Sequence, residues 1–192
     1  ENVKSFNAQA EDAINFVSSQ TTGTRLEIYN AQSDGIDVDF GIFSFGKVLC
    51  NVIGNDCFDT SGVEASIKEI NGNSVEDKLI SAGEASTVSV ETVIGENISI
   101  GVVSKDSSIL NISKLTLSNT DLHGAVFTKK ELFSQAYMEI EEIQPTDKQY
   151  LFFTNSKTDL SLNGQNGIIE EYLSGEIESK MYGAVYGTAT KR

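Results

Sequence analysis

Apolar positions in this chain fall in short runs closed by turn residues, and the runs recur. Ile14, Ile36, Phe58, Ile80 and Val102 follow one another at a constant spacing of 22. Each sits in an apolar or Ser/Thr-rich run, as in Gly35-Ile36-Asp37-Val38, Cys57-Phe58-Asp59-Thr60, Leu79-Ile80-Ser81-Ala82 and Val102-Val103-Ser104-Lys105. A second set alternates as strands do: Leu26/Ile28, Val48/Cys50, Val88/Val90, Leu110/Ile112, Met138/Ile140 and Leu160/Leu162. Most of its steps are again 22, and the longer step before Met138 marks an insertion. Asn/Gly/Asp turns lie between the two sets, at 30–34, 54–56, 71–73, 95–97 and 119–121.

Short alternating segments at a period near 22 specify a β-solenoid. One coil cannot bury its inward side chains alone, so coils stack and the apolar columns become ladders. The pattern predicts an all-β chain, a single right-handed parallel β-helix domain over 1–192 with about eight coils. The one Pro fits, because interior strands of a solenoid donate their N–H groups and Pro145 falls in a loop-like run. Residues 1–17 are a candidate N-terminal cap, since Ser5 to Val17 has partial helical periodicity, although Ile14 also fits the ladder. Residues 165–192 read as a closing segment. In it, Ile168, Ile169, Tyr172 and Leu173 cover the last coil, and a strand-like run from Tyr182 to Gly187 precedes a basic tail.

The 192 residues carry a formal net charge of −14. Such a balance argues against nucleic acid and anionic membrane surfaces, both of which need clustered Lys and Arg. No apolar run approaches the roughly 20 residues of a membrane-spanning helix. The start, Glu1-Asn2-Val3-Lys4, reads as that of a piece of a larger exported protein with neighbouring domains.

Candidate chemistry concentrates at one edge. Asp34, Asp56 and Asp77 recur at steps of 22 and 21, with Asp37, Asp39 and Asp59 beside them. Such a stripe can hold Ca²⁺, which takes six to eight oxygen ligands, or supply catalytic carboxylates; the ordinary role of Asp in turns is to bond its own backbone. Lys78 and Lys105 are the nearby cations. Cys50 and Cys57 are close enough in sequence for a disulfide, but both read as inward-facing, so buried thiols are expected. His123 reads as a turn histidine, and one His cannot complete a zinc site with these ligands. No nucleophile elbow, Gly-x-Gly-x-x-Gly or Walker run is present. Ser81, Ser104, Thr128 and Thr154 read as an inward hydroxyl ladder. The aromatics gather in the last third, and of the adjacent Phe152 and Phe153 one must point in and the other out.

The succession Ser33-Asp34-Gly35-Ile36-Asp37-Val38, Gly54-Asn55-Asp56-Cys57-Phe58 and Ile80-Ser81-Ala82-Gly83 resembles the pectate-lyase-like right-handed parallel β-helices, and the polygalacturonases among them. The likeness covers about residues 30 to 106. It implies Asp34 as the first catalytic carboxylate and Asp56 as a member of the second pair. Asn55 stands where the paired carboxylate belongs, Lys78 where a His would be, Val103 near the Arg and Lys105 loosely at the Lys. The later coils look more like the non-catalytic β-helical tails of spore-coat-H-like bacterial proteins.

Two functions follow as expectations. The first is a non-catalytic bacterial module, extracellular or at the cell surface, that presents a rigid surface to a polysaccharide or cell-surface component. Asp37, Lys78 and Lys105 are then its ligand-binding candidates. The second is a hydrolase or lyase on a uronate-containing glycan, with Asp34, Asp56 and Asp59 as catalytic carboxylates, Lys78 or Lys105 as the base a lyase needs, and calcium on Asp34, Asp56 and Asp77.

Overall fold

A computed structural model of the protein describes residues 1–144, 149–155, 158–163, 167–171 and 181. The strands in them are β1 (Asn2–Ala8), β2 (Asp12–Val17), β3 (Gln20–Ala31), β4 (Asp34–Asp39), β5 (Ile42–Ile53), β6 (Phe58–Ser61) and β7 (Glu64–Gly83), then β8 (Thr87–Lys105), β9 (Ile109–Phe127), β10 (Ala136–Ile143), β11 (Tyr150–Thr154), β12 (Thr158–Ser161) and β13 (Gly167–Glu171). All pair in parallel. One path runs β1-β3-β5-β7-β8-β9-β10-β12, and a second runs β2-β4-β6-β7 and reappears as β9-β11-β13. The chain is therefore the expected right-handed parallel solenoid with a repeat near 22, of about 7 turns rather than eight. The insertion lengthens one coil: Ile109 pairs with Tyr137 and Gly124 with Phe152, steps of 28 in place of 22.

Backbone conformation explains how each coil turns. Asn7, Asn30, Val52, Ser74, Asn97 and Asn119 all have positive φ, one per coil, as do Ser18, Phe40, Gly62, Glu84 and Asp106 at a second corner. A single left-handed residue bends an extended chain sharply while the strand pairing continues on both sides. Asn adopts that conformation more readily than other residues with a Cβ. At the first corner the Asn side chains also bond along the axis. Asn30 donates to Asn7 at 2.7 Å, Asn73 to Asn51 at 2.9 Å, Asn97 to Asn73 at 3.2 Å and Asn119 to Asn97 at 2.6 Å. The expected turns at 71–73, 95–97 and 119–121 are thus corners inside the continuous strands β7, β8 and β9.

The interior is built from in-register columns. Ile14, Ile36, Phe58, Ile80 and Val102 form one, as the spacing predicts. The second expected column is in fact two. Leu26 and Val48 continue through Ile70, Val93 and Leu115, whereas Val88, Leu110, Met138 and Leu160 align with Phe43 and Ala65. A bend with both Gly46 and Lys47 off the core separates Phe45 from Val48, so the wall presents two inward faces. The Phe43 ring stacks on Phe45 at 4.6 Å and meets Phe58 at 5.2 Å, tying one face to the opposite wall.

Cys50 and Cys57 face inward, yet they are joined in a disulfide rather than held as thiols. The corner at Val52 folds the chain so that their Cα atoms lie 5.9 Å apart. Closing a loop this short stabilises by about 2 kcal/mol in the chain-entropy picture. One coil later Gly72 and Leu79 occupy the equivalent places, and Leu79 fills the space a Cβ on Gly72 would need.

Three further expectations change. Ser5 to Val17 contains parts of β1 and β2 rather than a helical cap, with Ile14 paired to Ile36 as the ladder requires. The hydroxyls are not one row. Ser104 and Thr154 share an inward column with Thr60, Ser81 points out, and Thr128 lies beyond β9. His123 lies within β9 rather than in a turn. It is buried, accepts the Leu151 N–H through Nδ1 at 3.1 Å and packs on Tyr150. Phe152 does point in and Phe153 out, into a separate cluster. Pro145, Tyr172, Leu173 and the 182–192 tail lie outside the described residues.

Val52 is the β-branched exception at the Asn corner, 47% exposed and at φ 61°. A side chain with a Cβ loses about 1–2 kcal/mol there. Val52→Asn is expected to raise stability by about 1 kcal/mol, read as a Tm increase of about 3 °C. A lower Tm would show that the apolar contacts of Val52 outweigh its backbone strain.

Candidate functional site

The outer face of the second wall gathers most of the residues singled out in the sequence. Three columns run down it. One is Asn15, Asp37, Asp59, Ser81, Val103, Ala125 and Phe153, every step in register. Another is Asp12, Asp34, Asp56, Lys78, Ile100 and Leu122. The third begins Val17, Asp39, Ser61 and Gly83, with Lys105 and Phe127 below. The face is therefore acidic over the first coils, carries lysine and serine in the middle, and is apolar over the last. Its apolar part packs as one cluster of Ile100, Val103, Leu122, Ala125, Phe127 and Phe153 with Met181.

Asp34 and Asp56 brace the backbone. Asp34 Oδ1 accepts the Asp56 N–H at 2.8 Å and the Asn55 amide at 2.7 Å. One coil on, Asp56 Oδ1 accepts the Lys78 N–H at 2.9 Å and Lys78 Nζ at 3.2 Å. Lys78 Nζ also meets Asp77 at 2.5 Å. The true column is thus 34, 56, 78, and Asp77 stands beside it. The positive charge that calcium would have brought to Asp56 and Asp77 comes from the chain itself. Among the described residues no three His, Cys, Asp or Glu side chains are grouped to hold a metal ion.

Electrostatics follow from this crowding. Desolvation, reinforced by Asp56 and Asp59, pushes Asp34 up to about 7. Asp37 is also pushed up to about 7, by desolvation and then by Asp39, Asp59 and Asp12. Asp39, Asp59 and Asp77 are raised, each chiefly by desolvation, with Lys105 opposing the shift at Asp59 and Lys78 at Asp77. Desolvation works against the charge of Lys78, but Asp56 and Asp77 outweigh it and hold the ammonium protonated. Lys105 Nζ donates to the Met181 carbonyl at 3.4 Å. Ser81 Oγ is buried beside Asp59 and, among the described residues, has no hydrogen-bond partner within normal reach, though it lies close enough to favour the ionised Asp59.

Sequence reasoning missed Asp12, Asn15 and Ser81 as members of this face. Asn15 Nδ2 bridges Asp12 at 3.1 Å and Asp37 at 2.9 Å. Stepping back 22 from Asp34 and Asp37 would have found the first two. The carboxylates do not converge on one point: each has its own place in a column, and those of Asp34 and Asp56 are turned onto the next coil. The chain matches no family model, and the searches of curated proteins and of solved structures returned no match. The parallel solenoid itself is the part of the expected likeness that stands.

Two outcomes follow. Lys78→Met leaves the buried Asp56 carboxylate without its ammonium, so a loss of about 3 kcal/mol is expected. The double variant Asp56→Asn/Lys78→Met recovers most of it; equal losses in both variants would show that the pair is not coupled. For pH, folded Asp34 and Asp37 keep protons that the unfolded chain releases near 4, so their effect favours the fold at acid pH and fades as pH rises toward 7. Glu27 acts oppositely. The Tyr29 hydroxyl and Lys4 hold it at about 2, so its contribution is lost only as pH falls below about 4. Tm is expected to be a few degrees higher at pH 5 than at pH 8, with the difference reduced in Asp37→Asn; a Tm that rises over this interval contradicts the assignment.

Proposed function

We propose that the chain is a non-catalytic β-helical module of an exported bacterial protein, presenting a rigid surface to a polysaccharide or cell-surface component. One observation carries this reading: the carboxylates of Asp34 and Asp56 are hydrogen-bonded to backbone N–H groups of the next coil. A hydrolytic acid and base must face each other across a scissile bond. A lyase base must be neutral, and Lys78 is held charged between two carboxylates. The Cys50–Cys57 disulfide suits an oxidising, extracellular setting. On this reading the chain stands beside the pectate-lyase-like helices with its sugar-cleaving edge turned to structural use, Asn55 and Lys78 replacing the acid and the imidazole.

The hydrolase reading draws on a separate observation. Asp34 and Asp37 both lie near 7, where a carboxyl can serve as a general acid. The experiment is incubation with neutral and uronate polysaccharides, with and without Ca²⁺, followed by mass spectrometry. Unchanged chain lengths, together with retention of one polysaccharide on the immobilised protein, are the expected result. Shortened or unsaturated products that vanish in Asp37→Asn would establish the enzyme and overturn the module.

A further inference from the structure

The Asn corner holds a groove that the acidic face does not involve. Its volume is about 380 Å³, and it is lined by Asn30, Gln32, Val52, Ser74, Glu76 and Asn97, with Ala31, Ile53, Gly54 and Val75 beneath. These residues come from four successive coils, so the groove runs along the solenoid axis across the strands. At the usual strand spacing it extends about 14 Å from Asn30 to Asn97.

The amide ladder explains why space is open there. At the first two coils and at the fifth and sixth, the laddered Asn is itself the left-handed residue: Asn7, Asn30, Asn97 and Asn119. At the third and fourth coils the left-handed residues are Val52 and Ser74, and the amides stand one residue earlier, at Asn51 and Asn73, bonded to each other and to Asn97 but not to Asn30. Two large amides are thereby missing from the corner column, and Asn30 and Asn97 close the ends. Gly54 lets the backbone of the floor approach the preceding coil, because a Cβ there would collide with the Gln32 carbonyl oxygen.

The chemistry of the lining selects the ligand. No Lys or Arg lines the groove, and Glu76 does, so phosphate and uronate are unsuited. The backbone across the floor is paired from coil to coil, including Gly54 N–H to the Ala31 carbonyl at 3.0 Å, so an extended peptide finds no free strand edge there. What remains is neutral: amides at both ends, hydroxyl and amide along the walls, and an exposed isopropyl group in the middle. Among the described residues, Gln32, Ser74 and Glu76 have no side-chain hydrogen bond or ion pair.

We propose that this groove binds a neutral, extended oligosaccharide, with Asn30, Gln32, Ser74 and Asn97 bonding its hydroxyls and Val52 covering a C–H face of the central sugar. The assignment rests on the module reading above and names its site and ligand class. Without an aromatic platform the affinity is weak, with Kd on the order of 1 mM.

The test uses the full chain, isotopically labelled, and titrates cellohexaose, xylohexaose, laminarihexaose, chitohexaose and, as a charged control, hexagalacturonate, with NMR as readout. One neutral probe is expected to shift the side-chain amide signals of Asn30 and Asn97. Val52→Asn/Ser74→Asn restores the corner amides and fills the groove, so binding is expected to weaken at least about tenfold while Tm holds or rises. That retained stability separates loss of the site from loss of the fold. Neutral-probe binding that survives the double variant, with shifts on the Asp37–Ser81 face, would overturn the groove and leave the module reading standing. Binding of hexagalacturonate alone would overturn the neutral-ligand assignment. No binding by any hexasaccharide, while a long polysaccharide is still retained on the immobilised protein, would also refute the groove; absence of both would overturn the module reading with it.

Discussion

Backbone pairing between successive coils, held in one register, is the constraint on which the rest of the molecule depends. A strand that slipped by one residue would turn its inward column out to water. Register here is maintained by the corners, where one left-handed residue per coil lies in the same column at each of two bends. The Asn ladder and the carboxylates of Asp34 and Asp56 act on the same quantity, since each bonds a group exactly one coil away. This is why an aspartate pair that looks catalytic in sequence is put to structural use: a spacing of 22 brings the Asp56 N–H within hydrogen-bond reach of Asp34.

The same register makes the outer face of the second wall a graded surface. Asp37 on Asp59 places like charges on adjacent coils, which is unfavourable unless protons or cations intervene. The face meets this with raised carboxyl pKa values on its first coils and with Lys78 and Lys105 where the acidic columns end. Beyond the lysines the columns continue as Ile100, Val103, Leu122 and Ala125. One wall thus holds a charged surface and an apolar one, with the lysines at their junction and Lys105 reaching the Met181 carbonyl that lies over the apolar side.

How much of this was legible in the sequence depended on whether period alone carried the information. The Ile14-to-Val102 column was, because its members are all large, apolar and evenly spaced. The Leu26 and Val88 sets merged into one expected column, because both alternate at the same period and nothing in the pattern marks the bend at Gly46 and Lys47. Asp77 takes the place of Lys78 in the expected acidic column because its charge matches Asp34 and Asp56, whereas a strict step of 22 leads from Asp56 to Lys78. Both cysteines were read as inward, but their pairing depends on a turn at Val52 that no local preference of Val would announce. Asp12 and Asn15 lie within reach of the repeat, whereas the burial of the Ser81 hydroxyl beside Asp59 follows from packing that the repeat does not encode.

Val52 shows where local rules and the fold disagree. A chain tends to depart from its best local choice where something else is gained. The neighbouring corners adopt the favourable solution, an Asn in the left-handed conformation whose amide bonds along the axis. At the third and fourth coils the amides are retained but moved back by one residue, so axial hydrogen bonds run from Asn51 through Asn73 to Asn97, none joins Asn30 to Asn51, and the corner space is released. Strand pairing from coil to coil holds the wall in register on either side of the opening, and a surface can hold an extended ligand in one register only if its own backbone does not yield.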